Sequence, residues 1–447
     1  MKLLARYTGK SEAEIRRLMQ EAATAALEAE DEIYYHYGKE PTPFEESAPL
    51  QNLLNAGYQQ TAGSFSNLTA TTANTVSGAF EQALDRAWLQ VSSGAFDYKT
   101  AVKRAVDGLA DSMPYVTYPS GHRDTLEVAC RRAVLTGVNQ TGAKLQEARM
   151  DEMGASFVEV TAHGGARPSH AVWQGRRYHR GGAVDYLGQH YEDFESATGY
   201  GTGAGLCGWN CRHTFFVVFP ELGSPPAWTQ ESLEALNARD IEYDGGLYTR
   251  YEISQMQRAR ERAVRKWKRR YLAEDAAGAD AIASAMKLRQ ARQSLADFTR
   301  ATGGRVDSAR TSVHGFGRSE GSKASYAARK QERFNAANTE LQQMREAGTI
   351  KAKGRLIESP SAPNEINFAS DHVLQRWAER GMGPMDAERI IRSSKVAMSQ
   401  RNGTQTCYYS ELGFVAIEQD GNVSSIGPLD EGGKKLMEVV KKHGIPH

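Results

Sequence analysis

Five side chains that can bind a soft or borderline metal lie at the two ends of one stretch of this 447-residue sequence: His163 and His170 at one end, Cys207, Cys211 and His213 at the other. Thiolate and imidazole are the donors that tetrahedral zinc favours, and Cys207-x-x-x-Cys211-x-His213 with His170 or His163 would supply four ligands for a structural zinc. The Cys-x-x-Cys pair of the commonest zinc motifs is missing. The same residues would equally serve to hydrogen-bond a long loop to flanking strands, because the backbone groups of a buried loop need partners. Between the two ends, residues 199–208 read GYGTGAGLCG, five glycines in ten positions, which implies backbone conformations or close approaches that side chains would forbid. Gly203-x-Gly205-x-x-Gly208 matches a dinucleotide fingerprint in form only, since a strand pattern follows where a helix N-terminus would have to receive the pyrophosphate. Gly9-Lys10-Ser11 ends like a phosphate-binding loop, but Leu4 stands where its first glycine is required.

The elements around this stretch are expected to be of both kinds. Ser11 with Glu14 forms a capping-box pattern that starts a long helix over 11–37. Phe80, Leu84, Trp88 and Val91, and again Leu126, Cys130, Val134 and Val138, recur at helical spacing, so residues 1–150 read as a helical N-terminal region. Cys130 sits on such a stripe as a small buried hydrophobe. FVEVTA from Phe157 alternates like a strand and HTFFVVF (213–219) is a short apolar β-run, so residues 151–225 form a β-flanked, glycine-rich insertion. Residues 226–345 read as a helical basic region. Within it, Tyr251–Arg270 holds eight basic residues against Glu252 and Glu261, a balance of +6. Arg258, Arg262, Arg265, Lys266 and Arg269 could meet nucleic-acid phosphates or an acidic protein surface, or simply line a solvated helix. Trp267 reads as a core anchor. Residues 302–325 are rich in Gly and Ser, and 346–363 read as a linker. Residues 364–447 form a small α+β domain: helices over 371–380 and 385–396, then strands TCYYSE, GFVAIE and NVSSIG, the last two joined at Asp420-Gly421, a hairpin turn signal.

The fold class expected is thus α+β and multidomain. With 40% hydrophobic and 24% charged residues the chain has ordinary globular composition, and its length favours about two to four domains. Lys+Arg 55 against Asp+Glu 54 leaves a net charge of +1, so attraction to nucleic acid or membrane would have to be local. The mean hydropathy is −0.56 and no apolar run reaches membrane-spanning length, so no membrane association is expected. No signal-peptide pattern opens the sequence. Four cysteines, Cys130, Cys207, Cys211 and Cys407, are too few for a disulfide framework and fit a reducing compartment, the cytoplasm of the cell that makes the protein.

ARPSHAVWQGRRY (166–178), DFESATGYGTGAGLCGWNCRHTF (193–215) and YEISQMQRARERAVRKWKRR (251–270) together resemble the phage minor capsid protein 2 family. That family is similar to the wider Mu F-type head-morphogenesis proteins, in which Arg-x-x-His-x-x-x-x-Gly is followed by Asn-Cys-Arg. Here these core-motif positions are Arg167, His170, Gly175, Asn210, Cys211 and Arg212. The resemblance covers roughly the first 320 residues. It implies a structural, non-enzymatic role in the head of a tailed bacteriophage, at the portal or in the head interior, with portal and capsid proteins and packaged DNA as partners and the virion as the final location.

The order of elements after residue 364 is similar to small phage-associated RNases of the barnase–EndoU–colicin–RelE type. The alternative that this likeness implies is a virion protein carrying a metal-independent RNase effector that acts on RNA. His372 would be the acid or base, Arg376 and Arg380 the phosphate-binding cations on the same helix face, and Tyr408, Tyr409 or Ser425 strand-borne partners. The contrary reading is a solvated helix face on which Glu379 pairs with one of the arginines.

Overall fold

The computed structural model describes residues 12–61, 115–117, 123–350, 353–360, 366–368 and 371–446. The expected capping box at Ser11, the helix through Phe80 and Val91, and the side chain of Cys130 lie outside the described residues. The chain divides into two compact units, residues 1–281 with 290–317 and residues 282–289 with 318–447. Helix and sheet are mixed throughout, an α+β fold. No helix among the described residues is long and apolar enough to cross a membrane.

In the first unit, α1 (Glu12–His36) and α2 (Leu126–Met153) support a three-stranded antiparallel sheet. The middle strand is β1 (Phe157–Val160), flanked by β2 (Arg177–His179) and β3 (Phe215–Val217). Val158 faces Tyr178 on one side and Val217 on the other. The alternation read in the sequence therefore marks the sheet's centre. Its apolar side meets Tyr34, Ala143 and Met150 of the helices and Phe194, Leu206, Phe215 and Phe219 of the insertion. Phe194 and Phe215 are fully buried with ring centroids 4.9 Å apart, edge to face. Burial of each ring contributes roughly 2–3 kcal/mol.

Two ionisable side chains, Arg149 and Glu30, cross this apolar contact. Arg149, with 0% of its side chain exposed, donates to Asp31 at 2.9 Å and to Glu152 at 2.7 Å, so the cation enters the core only with anions at its tip. Glu30 lies one turn before Tyr34 on the buried stripe of α1, and its Oε1 accepts the Val217 amide at 2.9 Å. The hydrogen bond joins the first helix to the last strand of the sheet.

The second unit is a five-stranded antiparallel meander whose strands lie in chain order. They are β4 (Arg355–Glu358), β5 (Val396–Gln400), β6 (Gln405–Ser410), β7 (Gly413–Glu418) and β8 (Val423–Gly427). Val396, Met398, Cys407 and Tyr409 pack with Phe334, Ala337, Leu341, Leu436 and Val440. Those partners come from Arg318–Glu346 and Glu431–Lys442. Ala397, Tyr408, Val415 and Ile417 pack with Trp377, Ala387, Ile390 and Ile391, from Asp371–Glu379 and Pro384–Ser393. Neighbouring residues such as Tyr408 and Tyr409 point to opposite faces, and helices cover both.

The unit is larger than its sequence suggests. The stretch read as a linker contains β4, which pairs with β5 through Leu356 and Met398. The second helix, read to Val396, stops at Ser393, and Val396 opens a strand. A third helix, Glu431–Lys442, begins at Asp430, whose side chain accepts the Gly433 amide at 2.7 Å. The hairpin at Asp420-Gly421 forms as expected, with Gly421 at φ +86°.

Burial outweighs the Val217 and Gln146 hydrogen bonds at Glu30 and lifts its pKa from 4.5 to about 8. The folded chain thus keeps a proton there that the unfolded chain has released. Stability is expected to fall as pH rises from about 4.5 to 8. Glu30→Gln should flatten that part of the profile in urea denaturation at a series of pH values. Parallel falls in variant and parent would contradict the assignment.

Candidate metal centre

β1 runs into a loop holding His163, after which Pro168 opens the one-turn helix Pro168–Ala171. Pro at the first helical position gives up an amide with no partner in the helix. That turn carries His170 inward to 2% exposure and leads through Trp173 and Gln174 into Gly175, at φ +66°. The chain forms β2 and a short hairpin, and Asp193 then caps Phe194–Thr198 by accepting the Ser196 amide at 2.9 Å. The glycine-rich loop follows. A Cβ on Gly205 would fall on the Gly199 carbonyl, and one on Gly208 would strike the Gly203 carbonyl. The glycines therefore serve backbone-to-backbone packing. Tyr200 anchors the loop by donating to Glu147 of α2 at 2.7 Å.

The loop delivers Cys211 and His213 two residues apart on an extended approach to β3. Asn139 of α2 holds that approach by donating to the Cys211 and His213 carbonyls at 3.3 and 3.1 Å. Cys211 Sγ lies 3.5 Å from His213 Nδ1 and 3.7 Å from His170 Nδ1, and the three donor atoms all fall within 4.8 Å of one another in a buried cluster. On their far edges, His170 Nε2 is 2.9 Å from the Ala204 carbonyl and His213 Nε2 is 2.9 Å from Gln174 Oε1. Burial lowers the pKa of His170 and, with the nearby His163, His170 and Arg167, brings that of His213 down to about 3. Burial also raises that of Cys211. Burial thus favours the neutral ring at both histidines, the state in which imidazole ligates metal.

Of the four residues with ligand spacing, three converge and Cys207 does not join them. Cys207 takes up φ +57°, and its Sγ faces the His213 carbonyl at 3.5 Å. His163 stacks on the His213 ring with centroids 4.3 Å apart. Gln174, Asn139 and the Ala204 carbonyl complete the cluster without having been marked by the sequence. A buried amide four residues beyond His170 was the available signal for Gln174.

The basic run lies in the helix Arg250–Ala276, which opens with a Thr249–Glu252 capping box. Its cations do not form one outward stripe. Arg262 and Lys266 are exposed, Arg258 and Arg269 are half-buried, and Arg265 is buried. The Arg265 guanidinium donates to the Arg310 carbonyl and Lys268 donates to the Thr311 carbonyl at 2.6 Å. Arg260 lies over the Phe298 ring at 4.1 Å. Trp267 is half-buried between Lys266 and Arg270, whose charged groups sit 5.6 and 5.2 Å from its ring.

In the second unit, His372 and Arg376 belong to the helix Asp371–Glu379, but their side chains lie outside the described residues. Arg380 donates to the Ile426 carbonyl at 2.8 Å. Tyr408 is 2% exposed and burial raises its hydroxyl pKa. Tyr409 packs on the other face, and Ser425 pairs with Ala416 at half exposure.

The loop that positions Cys211 has no room for a side chain at Gly205. Gly205→Ala is expected to cost at least ~2 kcal/mol through overpacking against backbone, read as a lowered urea midpoint, whereas Gly142→Ala, in α2 with only the Ala26 Cβ nearby at 3.9 Å, should cost less. Equal losses in the two variants would show that packing is not the reason for Gly205.

The sequence profile of phage minor capsid protein 2 matches residues 1–300. No curated protein and no solved structure matches the chain. The match takes in the Cys/His cluster, the glycine-rich loop and the basic helix, and leaves out the five-stranded sheet. This chain belongs to the phage minor capsid protein 2 family.

Proposed function

We propose that this protein is a low-copy structural component of a tailed-phage head, seated at the portal vertex or on the inner face of the head, with portal and capsid proteins as its partners. The observation that carries this reading is how the core-motif residues are used. Arg167 donates to the Trp209 carbonyl at 2.8 Å, His170 and Cys211 are buried, and Gly175 donates its amide to Val160 at 2.9 Å. Asn210 holds a left-handed turn at φ +54°. These roles shape and hold the loop; none offers a reacting group to a substrate.

The same segment turns Val172 and Trp209 outward at 62% and 61% exposure, and Arg212 is exposed beside them in sequence. Tryptophan and arginine are the residue types most enriched where proteins bind one another. The basic helix adds less to DNA binding than its composition implies, because half-burial and carbonyl contacts occupy several of its cations.

Mass spectrometry of purified virions is expected to find the chain at low copy, and its deletion should lower the yield of filled heads. Trp209→Ala should reduce its incorporation while leaving the purified protein folded by circular dichroism. Particles that lack the chain, together with full phage yield on deletion, would overturn the reading.

A further inference from the structure

The geometry points to a zinc site in which His170 Nδ1, Cys211 Sγ and His213 Nδ1 are the protein ligands. Hydrogen bonding on the outer edges of the two rings sets up this arrangement. Gln174 Oε1 accepts the His163 backbone amide at 3.1 Å, and a backbone N–H can only donate, so the oxygen of that side chain faces the cluster. The same oxygen is 2.9 Å from His213 Nε2, which must therefore carry the ring proton. His170 Nε2 is 2.9 Å from the Ala204 carbonyl, another pure acceptor, so it too is protonated. Both Nδ1 atoms consequently present lone pairs, and both face the same sulfur.

A thiol has a single hydrogen. It can satisfy one of the two nitrogens, and the other lone pair then faces sulfur with nothing between them. A cation at the centre of the three atoms satisfies all of them at once. The distances agree with this: zinc–sulfur and zinc–nitrogen bonds of about 2.3 and 2.0–2.1 Å at tetrahedral angles place sulfur and nitrogen about 3.6 Å apart, and the separations here are 3.5 and 3.7 Å. Donation of the distal ring N–H to a carbonyl or amide oxygen is also the usual outer support of a metal-bound histidine. Binding forms two nitrogen–zinc bonds and one sulfur–zinc bond in exchange for water ligands of the ion, leaves one water as the fourth tetrahedral ligand, and releases the Cys211 thiol proton to solvent. Cys207, turned to the His213 carbonyl, is outside the donor set.

The metal would tie the turn at 168–171 to the strand approach at 211–213, His170 and Cys211 being 41 residues apart in sequence, and so close the β-flanked insertion at its base. This goes beyond the head-assembly role and stands or falls separately from it.

The test uses the full chain, purified from zinc-supplemented cells and dialysed against metal-free buffer. Elemental analysis should find about one zinc per chain. Exchange with cobalt(II) should give the visible bands of a tetrahedral site and a thiolate charge-transfer band. Cys211→Ser should lose the charge-transfer band, His170→Ala and His213→Ala should lose the metal, and Cys207→Ser should keep it. Because the ligand variants can misfold, the parent chain is also stripped with a chelator, and returning zinc should raise its thermal midpoint. A natively folded parent that holds less than about 0.1 zinc per chain and takes up neither zinc nor cobalt on titration would overturn the site. Loss of metal in a folded Cys207→Ser variant would overturn the three-residue donor set.

Discussion

One amide oxygen joins the two ends of the insertion around which the first unit is built. Gln174 Oε1 accepts the backbone amide of His163, just beyond β1, and faces the ring nitrogen of His213, just before β3. The chain between these two residues leaves the sheet, forms an edge strand, a hairpin and a glycine-rich loop, and returns to the strand it left. A segment this long can enter a core only if its polar groups find partners there, since an orphaned buried donor or acceptor costs about 1–3 kcal/mol. Gln174, Asn139 and the Ala204 carbonyl supply those partners, and the positions of His170, Cys211 and His213 follow from them.

Periodicity made much of the scaffold legible. The short run of β3, with Phe215 and Val217 buried and Phe216 half-buried between them, follows from the repeat of 2 that burial on one face enforces, whereas β1, at the centre of the sheet, buries Glu159 between Val158 and Val160. The motif around Arg167, His170, Cys211 and Arg212 marked the segment that matters. What spacing could not show was where Cys207 points, because a left-handed backbone at a non-glycine residue turns its side chain off the line that a regular strand or helix would give.

Charge was the least legible feature. A run with a balance of +6 reads as a surface for polyanions, yet Arg265 and Lys268 spend their hydrogen bonds on carbonyls and Arg260 lies over an aromatic ring. Long cationic side chains bury their stems readily, and composition does not say which carbonyls they will meet. In the second unit the sheet extends beyond its hairpins for local reasons. β4 lies among lysine, glycine and proline that argue against a strand, β5 starts three residues after a helix, and Gly432-Gly433 obscures the start of the final helix.

The hydrogen bond from Val217 to Glu30 spans 187 residues, and this separation bears on how the chain is made. Ribosomes add roughly 5–20 residues per second, so α1 emerges some ten to forty seconds before the strand that covers it exists. Through that interval Tyr34 lacks Phe219, its edge-to-face partner, and that side of the nascent helix is exposed to chaperones, to proteases and to other copies emerging from the same message. A buried acid on that helix is well suited to the wait: in water Glu30 is ionised and keeps the stripe soluble, and it takes up its proton only when the sheet closes over it.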